Sequence, residues 1–168
     1  MQGHRVFCVT THKYSEKMWC GYAENHKGVA LRIEANIARG SKFQLFRPVE
    51  YREQRPPPYD DTLDFIAGGL FGNQEACLKA ILEKIVHSKT LPWQHEGEYR
   101  LVIPLLKDER SWNTQRYHPE EITELYLGHA MTKEDKEEIV ARAKARNPKI
   151  AIFQAAGDAN TKLTFGLI

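Results

Sequence analysis

Two glutamates and an arginine stand at alternate positions, Glu96, Glu98 and Arg100, immediately before an apolar run. Side chains alternate between the two faces of a β-strand, so a strand beginning at Glu96 would bring all three to one face. Two carboxylates and a guanidinium that close together influence one another's ionisation. The trio suits acid–base chemistry or the binding of a sugar hydroxyl, and it also fits an ordinary ion-pair ladder on a sheet surface.

Two residues just before the trio extend this candidate site. Trp93 and His95 precede Glu96, and an indole offers a flat face on which a base or a nicotinamide can stack. An aromatic residue ahead of a strand also serves to fill a core. Trp93 is therefore a candidate for substrate binding, and packing in the core is the alternative role.

A second candidate site lies on a predicted helix over residues 16–26, which Gly28 would terminate. It combines aromatic and cationic side chains: Trp19, Tyr22, His26 and Lys27. The structural alternative is again simple. Aromatic residues three apart pack together against a sheet, and cations near a helix C-terminus are favoured by the helix dipole.

Metal chemistry has two alternatives in the sequence. The first is a loosely zinc-like set, Cys8, His12, Cys20 and His26. Cys8 falls in a strand pattern and Cys20 in a helix pattern, whereas structural zinc ligands usually come from tight turns. The second is a magnesium-dependent nuclease that would use one of Asp60, Asp61 and Asp64 with Glu98. It needs carboxylates converging on one point, and Arg100 stands where a lysine would be the better activator. We predict no metal ligand.

Composition limits the class of protein. The chain has 168 residues, 42% hydrophobic and 27% charged, which fits one globular domain. A net charge of +2 gives no electrostatic reason to expect nucleic-acid binding. Three irregularly spaced cysteines indicate reduced thiols, and neither a signal peptide nor a membrane-spanning run is visible, so we expect a cytoplasmic protein. P-loop and serine-hydrolase motifs are missing.

The periodic segments predict an α+β fold with a mixed, largely antiparallel sheet of six or seven strands and about three helices. The predicted strands cover residues 5–11, 29–34, 43–51 with a break near Pro48, 96–106, 122–128, 150–154 and 163–167. The predicted helices cover residues 16–26, 74–87 and 132–146, with caps at Ser15, Asn73 and Thr132. The middle helix carries an apolar stripe that should face the core: Cys77, Leu78, Ile81, Leu82 and Ile85.

Three segments resemble the bacterial domain-of-unknown-function family DUF2971. They are Met18-Trp19-x-x-Tyr22-Ala23-x-x-His26-Lys27-Gly28-Val29, Lys89-x-x-x-Trp93-x-x-Glu96-x-Glu98-x-Arg100, and residues 122–128. The resemblance runs from about Phe7 to about Ala155. Members of the family usually carry a further N-terminal segment with an Asn-Asp-Pro-Phe-like motif. The resemblance therefore implies a minimal or truncated version of the family.

The Glu-x-Glu strand, the following loop at 118–122 and the next strand also look similar to the late part of ADP-ribosyltransferase-like folds. This likeness implies NAD as substrate, with Glu98 orienting the ribose and Glu96 activating the acceptor. The substrate-binding set would be Trp19, Tyr22, His26, Lys27, Trp93 and Arg100. The implied function is a bacterial or phage enzyme of toxin or phage-defence type. The alternatives are a non-enzymatic module that binds a nucleotide or a protein, and a truncated inactive domain.

Overall fold

The computed structural model of the chain describes residues 4–104, 116–157 and 163–168. The strands are β1 (His4–Thr10), β2 (Val29–Ile33), β3 (Arg47–Pro48), β4 (Glu50–Arg52), β5 (Ser88–Thr90), β6 (Glu98–Pro104), β7 (Ile122–Leu127), β8 (Ala151–Ala156) and β9 (Thr164–Leu167). The α-helices are α1 (Glu16–Tyr22), α2 (Thr62–Phe71), α3 (Gln74–Val86) and α4 (Lys133–Arg146). The predicted α+β class with mostly antiparallel pairing is confirmed.

Backbone contacts divide the chain into two compact units. Unit 1 comprises Met1–Arg5, His12–Phe46 and Ile103–Ile168, and unit 2 comprises Val6–Thr11 and Arg47–Val102. Each unit carries its own set of strand pairs. That the chain forms a single domain stays a prediction.

Unit 1 is built on a four-stranded sheet in the order β2-β7-β8-β9. β7 pairs antiparallel with β2 and parallel with β8, and α4 forms the connection that a parallel pair requires. Thr132 caps α4 by accepting a hydrogen bond from the backbone N–H of Asp135, as predicted. No residue of α4 is buried, so α4 is a surface helix.

Both faces of β7 are buried, and each face packs against a separate hydrophobic cluster. Leu125 and Leu127 point to the α4 side, where they pack with Ile152. Tyr126 points to the opposite side, where it packs with Trp19 of α1. All of these side chains are at most 3% exposed, as expected for a central strand covered on two sides.

Helix α1 is shorter than predicted. It ends at Tyr22, and Glu24, Asn25 and His26 follow with positive φ angles of 47°, 52° and 65°. The chain thus turns back on the helix before Gly28, where a Cβ atom would lie 3.1 Å from the Ala23 Cα. Gly28 favours this close approach and is not the residue that terminates the helix. The side chain of Ser15 also makes no capping hydrogen bond.

Unit 2 contains a three-stranded sheet in the order β1-β6-β3 and a parallel pair, β4 with β5. The predicted strand at residues 96–106 begins two residues late, because Leu91–Glu96 form a 3₁₀ helix. Gly97 then adopts a left-handed conformation with φ of 50°, which redirects the chain into β6. Leu105 and Leu106 lie outside the described residues.

Three further element predictions need correction. The first part of the predicted strand at 43–51 is instead a 3₁₀ helix, Lys42–Leu45, because the side chain of Ser41 accepts a hydrogen bond from Phe43 N–H and starts a turn. Helix α2 was not predicted, since Gly68 and Gly69 lower helix propensity in its middle. Helix α3 has its predicted Asn73 cap, but no residue in α3 is buried, and Leu78 is 50% exposed. Its apolar stripe is only partly covered.

Candidate functional site

The two glutamates of the opening motif converge on one lysine in unit 2. Lys89 Nζ forms an ion pair with the carboxylate of Glu96 and lies 3.3 Å from Glu98 Oε2. Glu96 is 2% exposed and Glu98 is 8% exposed. Three elements supply these side chains: Lys89 lies on β5, Glu96 ends the 3₁₀ helix, and Glu98 begins β6.

Glu98 and Arg100 share one face of β6, as the alternation predicts. Arg100 Nε donates to Glu98 Oε1 at 2.9 Å, and its Nη2 donates to Glu98 Oε2 at 2.8 Å. Arg100 also donates to the Val86 carbonyl oxygen. The Glu98 backbone N–H donates to the Tyr51 hydroxyl at 2.9 Å, which fixes the start of the strand. The carboxylate therefore has a defined orientation.

Charge neutralisation keeps this cluster ionised. Burial opposes ionisation of Glu98, but hydrogen bonds from Arg100 and Cys8 and the charge of Lys89 outweigh it and lower its pKa from 4.5 to about 2. Burial also works against the charge on Lys89, and the two glutamates more than offset it, so the pKa of Lys89 is raised. Two anions face two cations, as buried charges require.

Cys8 of β1 lies against the same cluster. Desolvation, together with the hydrogen bond to Glu98 and the charge of Glu98, raises the pKa of the Cys8 thiol from 9.0 to about 11. A thiol with so high a pKa is a poor nucleophile at neutral pH. Cys8 therefore acts here as a hydrogen-bond donor to Glu98.

Trp93 presents an open aromatic face next to these charges. Its indole is 47% exposed, and Lys89 Nζ lies 4.8 Å from the ring centroid. The ammonium group thus links the aromatic ring to Glu96 and Glu98. A ligand stacked on Trp93 would lie beside this lysine.

The predicted site residues fall into two groups. Glu96, Glu98, Arg100 and Trp93 all belong to unit 2. There Lys89 contacts both glutamates and the Trp93 ring, and Arg100 pairs with Glu98. The remaining predicted residues, Trp19, Tyr22, His26 and Lys27, belong to unit 1. Their participation in one common substrate site stays a prediction.

Within unit 1, Trp19 is a core residue at 3% exposure, and its Nε1 donates to the Lys13 carbonyl oxygen at 2.8 Å. It leaves almost no surface for a ligand base. Tyr22 is 68% exposed and Lys27 is also exposed. Their roles in substrate binding stay predictions.

His26 is buried at 4% exposure and forms the centre of a polar cluster that the sequence did not predict. Its Nε2 lies 2.6 Å from Glu16 Oε1 and 3.8 Å from Cys20 Sγ. Cys20 Sγ lies 3.7 Å from the same Glu16 oxygen. Burial and the charge and hydrogen bond of Glu16 raise the pKa of the Cys20 thiol.

The loop that carries His26 is held by the end of β7. Ala130 N–H donates to the His26 carbonyl oxygen at 3.0 Å, and Gly128 N–H donates to the Gly28 carbonyl oxygen at 3.0 Å. A Cβ atom at Gly128 would lie 2.0 Å from the His26 carbonyl oxygen. Only glycine allows this approach.

The structure bears on both metal alternatives of the sequence analysis, the zinc-like set and the magnesium-dependent nuclease. Of the zinc-like set, Cys20 and His26 lie together and meet Glu16, and Cys8 belongs to unit 2. For the nuclease alternative, Asp60 pairs with Lys84, and Asp61 accepts a hydrogen bond from Leu63 N–H. Among residues 4–104, 116–157 and 163–168, the only group of three potential metal ligands is Glu16, Cys20 and His26.

The sequence reasoning missed Lys89 and Glu16, and both left a detectable signal. Lys89 stands in the quoted family pattern seven residues before Glu96, yet no local rule assigned it to the carboxylates. Glu16 and Cys20 are four apart, the spacing that places two side chains on one helix face.

The fold and the site define the class of protein. It is an α+β protein that encloses a charge-balanced carboxylate cluster in one unit and a Glu–Cys–His cluster in the other. The model of the family described as "Protein of unknown function (DUF2971)" matches residues 18–101, and the chain belongs to this family. No curated protein and no solved structure matches the chain significantly. Within the part of the chain that the structure describes, no helix is long and apolar enough to cross a bilayer.

Proposed function

We propose that the chain is an NAD-cleaving enzyme of ADP-ribosyltransferase-like type, in which Glu98 is the catalytic carboxylate. The observation that carries the proposal is the convergence of Glu96 and Glu98, both under 10% exposed, on Lys89. Buried, ionised side chains with strongly shifted pKa values are concentrated at functional sites.

The chemistry follows from the fixed orientation of Glu98. The glycosidic bond between the ribose C1′ and the nicotinamide nitrogen breaks, and nicotinamide leaves with the electron pair. The transition state resembles an oxocarbenium ion, and an ionised carboxylate near the ribose stabilises it. Water then attacks C1′, so that NAD⁺ and water give ADP-ribose, nicotinamide and one proton.

The other members of the cluster have roles in this scheme. Glu96 accepts the proton of the attacking water or acceptor hydroxyl. Arg100 fixes the Glu98 carboxylate through two hydrogen bonds and so acts as a positioning residue. The exposed Trp93 indole supplies the stacking face for the nicotinamide or the adenine.

A specific observation favours a second candidate, a nucleotide-binding module without turnover. Arg100 and Lys89 neutralise the two carboxylates, so the cluster carries little net charge with which to stabilise a developing cation. Such a module would still use the cationic Lys89 and the face of Trp93 to bind a nucleotide.

The experiment is release of nicotinamide from NAD by the full chain, compared with Glu98→Gln. We expect release by the full chain and a loss of at least about 100-fold in the variant, the scale of removing one well-placed transition-state group. Circular dichroism at the assay temperature verifies that the variant is folded.

The matched control is Glu121→Gln. Glu121 is a buried carboxylate in unit 1 at 3% exposure, where it accepts a hydrogen bond from His118 N–H at 2.9 Å. Its replacement tests the general effect of losing a buried carboxylate and should leave turnover unchanged. Absence of nicotinamide release by the full chain contradicts the enzyme proposal. Saturable binding of NAD under those conditions, read by intrinsic tryptophan fluorescence, supports the binding module.

A further inference from the structure

We propose that Glu16, Cys20 and His26 bind a divalent transition-metal ion of the zinc class, with one coordination position left for solvent or a substrate. The three side chains offer one oxygen, one sulfur and one nitrogen, and these atoms lie within 4.8 Å of one another. The proposal concerns unit 1 and does not depend on NAD cleavage by the carboxylate cluster of unit 2.

Two of the three separations between the ligand atoms are close to those of tetrahedral coordination. Zn–S bonds of about 2.3 Å and Zn–N or Zn–O bonds of about 2.0 Å imply S–N and S–O separations of about 3.5 Å, and an N–O separation of about 3.3 Å. Cys20 Sγ lies 3.8 Å from His26 Nε2 and 3.7 Å from Glu16 Oε1. Two edges of the tetrahedron are therefore nearly in place.

The third edge must open to admit the ion. Glu16 Oε1 and His26 Nε2 are in hydrogen-bond contact at 2.6 Å. The Glu16 side chain is 47% exposed, so solvent leaves room for a small rotation that separates the two atoms. An ion then replaces one hydrogen bond by two coordinate bonds.

The histidine is the rigid member of the site. The His26 ring stacks between Trp19, with centroids 5.8 Å apart, and His129, with centroids 4.2 Å apart. Its buried Nδ1 atom has no hydrogen-bond partner. Without the ion, a proton between Nε2 and Glu16 Oε1 makes their hydrogen bond. When the ion binds, the neutral ring carries its proton on Nδ1 instead, and the Nε2 lone pair becomes the ligand.

Charge and exposure indicate the type of ion and site. A thiolate and a carboxylate together neutralise a divalent cation, and an imidazole with a thiolate selects zinc-class metals over magnesium or calcium. Cys20 is exposed, so water can occupy the fourth position. Three protein ligands with an open position are the pattern of catalytic zinc sites.

The test is a titration of the full chain with Co²⁺, with a phosphine keeping the cysteines reduced. We expect the thiolate-to-cobalt absorption band to saturate at one ion per chain and Zn²⁺ to displace it. Cys20→Ser should abolish the band, and Glu16→Gln should weaken binding at least about tenfold, the scale of a lost ligand contact. Both positions are exposed, so these variants should keep the fold.

Cys77→Ser is the matched control, because Cys77 is a free thiol in unit 2 and should leave the band unchanged. In parallel, Zn²⁺ should raise the midpoint of thermal unfolding of the full chain but not of Cys20→Ser. The proposal is overturned if the full chain gives no band, or if Cys20→Ser retains the same band and the same Zn²⁺-dependent shift.

Discussion

Arg100 and Glu98 lie side by side on one face of β6. They form an ion pair through two hydrogen bonds, with N–O distances of 2.9 and 2.8 Å. The side chains of Arg100 and Glu98 are 16% and 9% exposed, so both charges depend on this contact. Arg100 also donates to the carbonyl oxygen of Val86, the last residue of α3. The pair thus connects β6 to the end of a helix as well as orienting the carboxylate.

Arg100→Lys should destabilise the fold although it keeps the charge. An ammonium group cannot make two parallel hydrogen bonds to a carboxylate and also reach the Val86 carbonyl oxygen. The expected loss is about 1.5–3 kcal/mol, the usual contribution of hydrogen bonds to charged groups. Urea unfolding measures it. The control is Arg142→Lys, whose partner Glu138 is on the surface of α4, and an equal loss in both variants would contradict the role assigned to Arg100.

Stability should fall in acid because of Glu98. Its folded pKa of about 2 lies below the ordinary 4.5, so the carboxylate contributes stability above pH 4.5 and loses that contribution as the pH falls towards 2. Denaturant unfolding at a series of pH values should show this decline in the full chain. Glu98→Gln removes the titrating group, and its stability should decline less over the same interval. Parallel declines would show that other carboxylates dominate.

Cys8 should react slowly with iodoacetamide despite its exposed surface. A pKa of about 11 in place of 9.0 reduces the thiolate population at neutral pH roughly 100-fold. Glu98→Gln removes two of the causes and leaves desolvation, so alkylation of Cys8 should become faster without reaching the rate of a free thiol. Peptide mass spectrometry measures each cysteine separately. Cys77 belongs to the same unit and serves as the control for a general unfolding of that unit. Equal acceleration of alkylation at Cys8 and Cys77 would contradict a specific effect of Glu98 on Cys8.

Gly128→Ala should be among the most damaging small substitutions in unit 1. The new Cβ would lie 2.0 Å from the His26 carbonyl oxygen and 2.9 Å from the Gly28 carbonyl oxygen, so the backbone must move. Overpacking of this kind costs about 1–3 kcal/mol. Thermal unfolding provides the measurement.

Gly21→Ala is the control for Gly128→Ala, because it adds the same methyl group where there is space for it. Gly21 lies within α1, and a Cβ there meets nothing within 4 Å. Alanine should therefore stabilise the helix by about 0.5–1 kcal/mol. A harmless Gly128→Ala would mean that the loop at residues 24–28 does not depend on the close approach of β7.

Local sequence rules predicted the elements with strong periodicity or caps. The strand β7, the Thr132 cap of α4 and the Asn73 cap of α3 all follow from neighbouring residues, whereas the burial of both faces of β7 does not. The shared face of Glu98 and Arg100 follows from strand alternation. Short elements were less predictable, because the strands β3, β4 and β5 contain only two or three residues each. Their pairing depends on distant partners.

The sequence by itself determined the α+β class, the family and the two segments that carry the polar clusters. Only the tertiary structure decided which atoms meet. Lys89 reaches the two glutamates because β5 and the 3₁₀ helix lie beside β6, and Glu16 reaches His26 because three left-handed residues turn the chain back on α1. Periodicity describes the direction of a side chain within one element. Convergence of side chains from different elements depends on long-range packing, which no local pattern encodes.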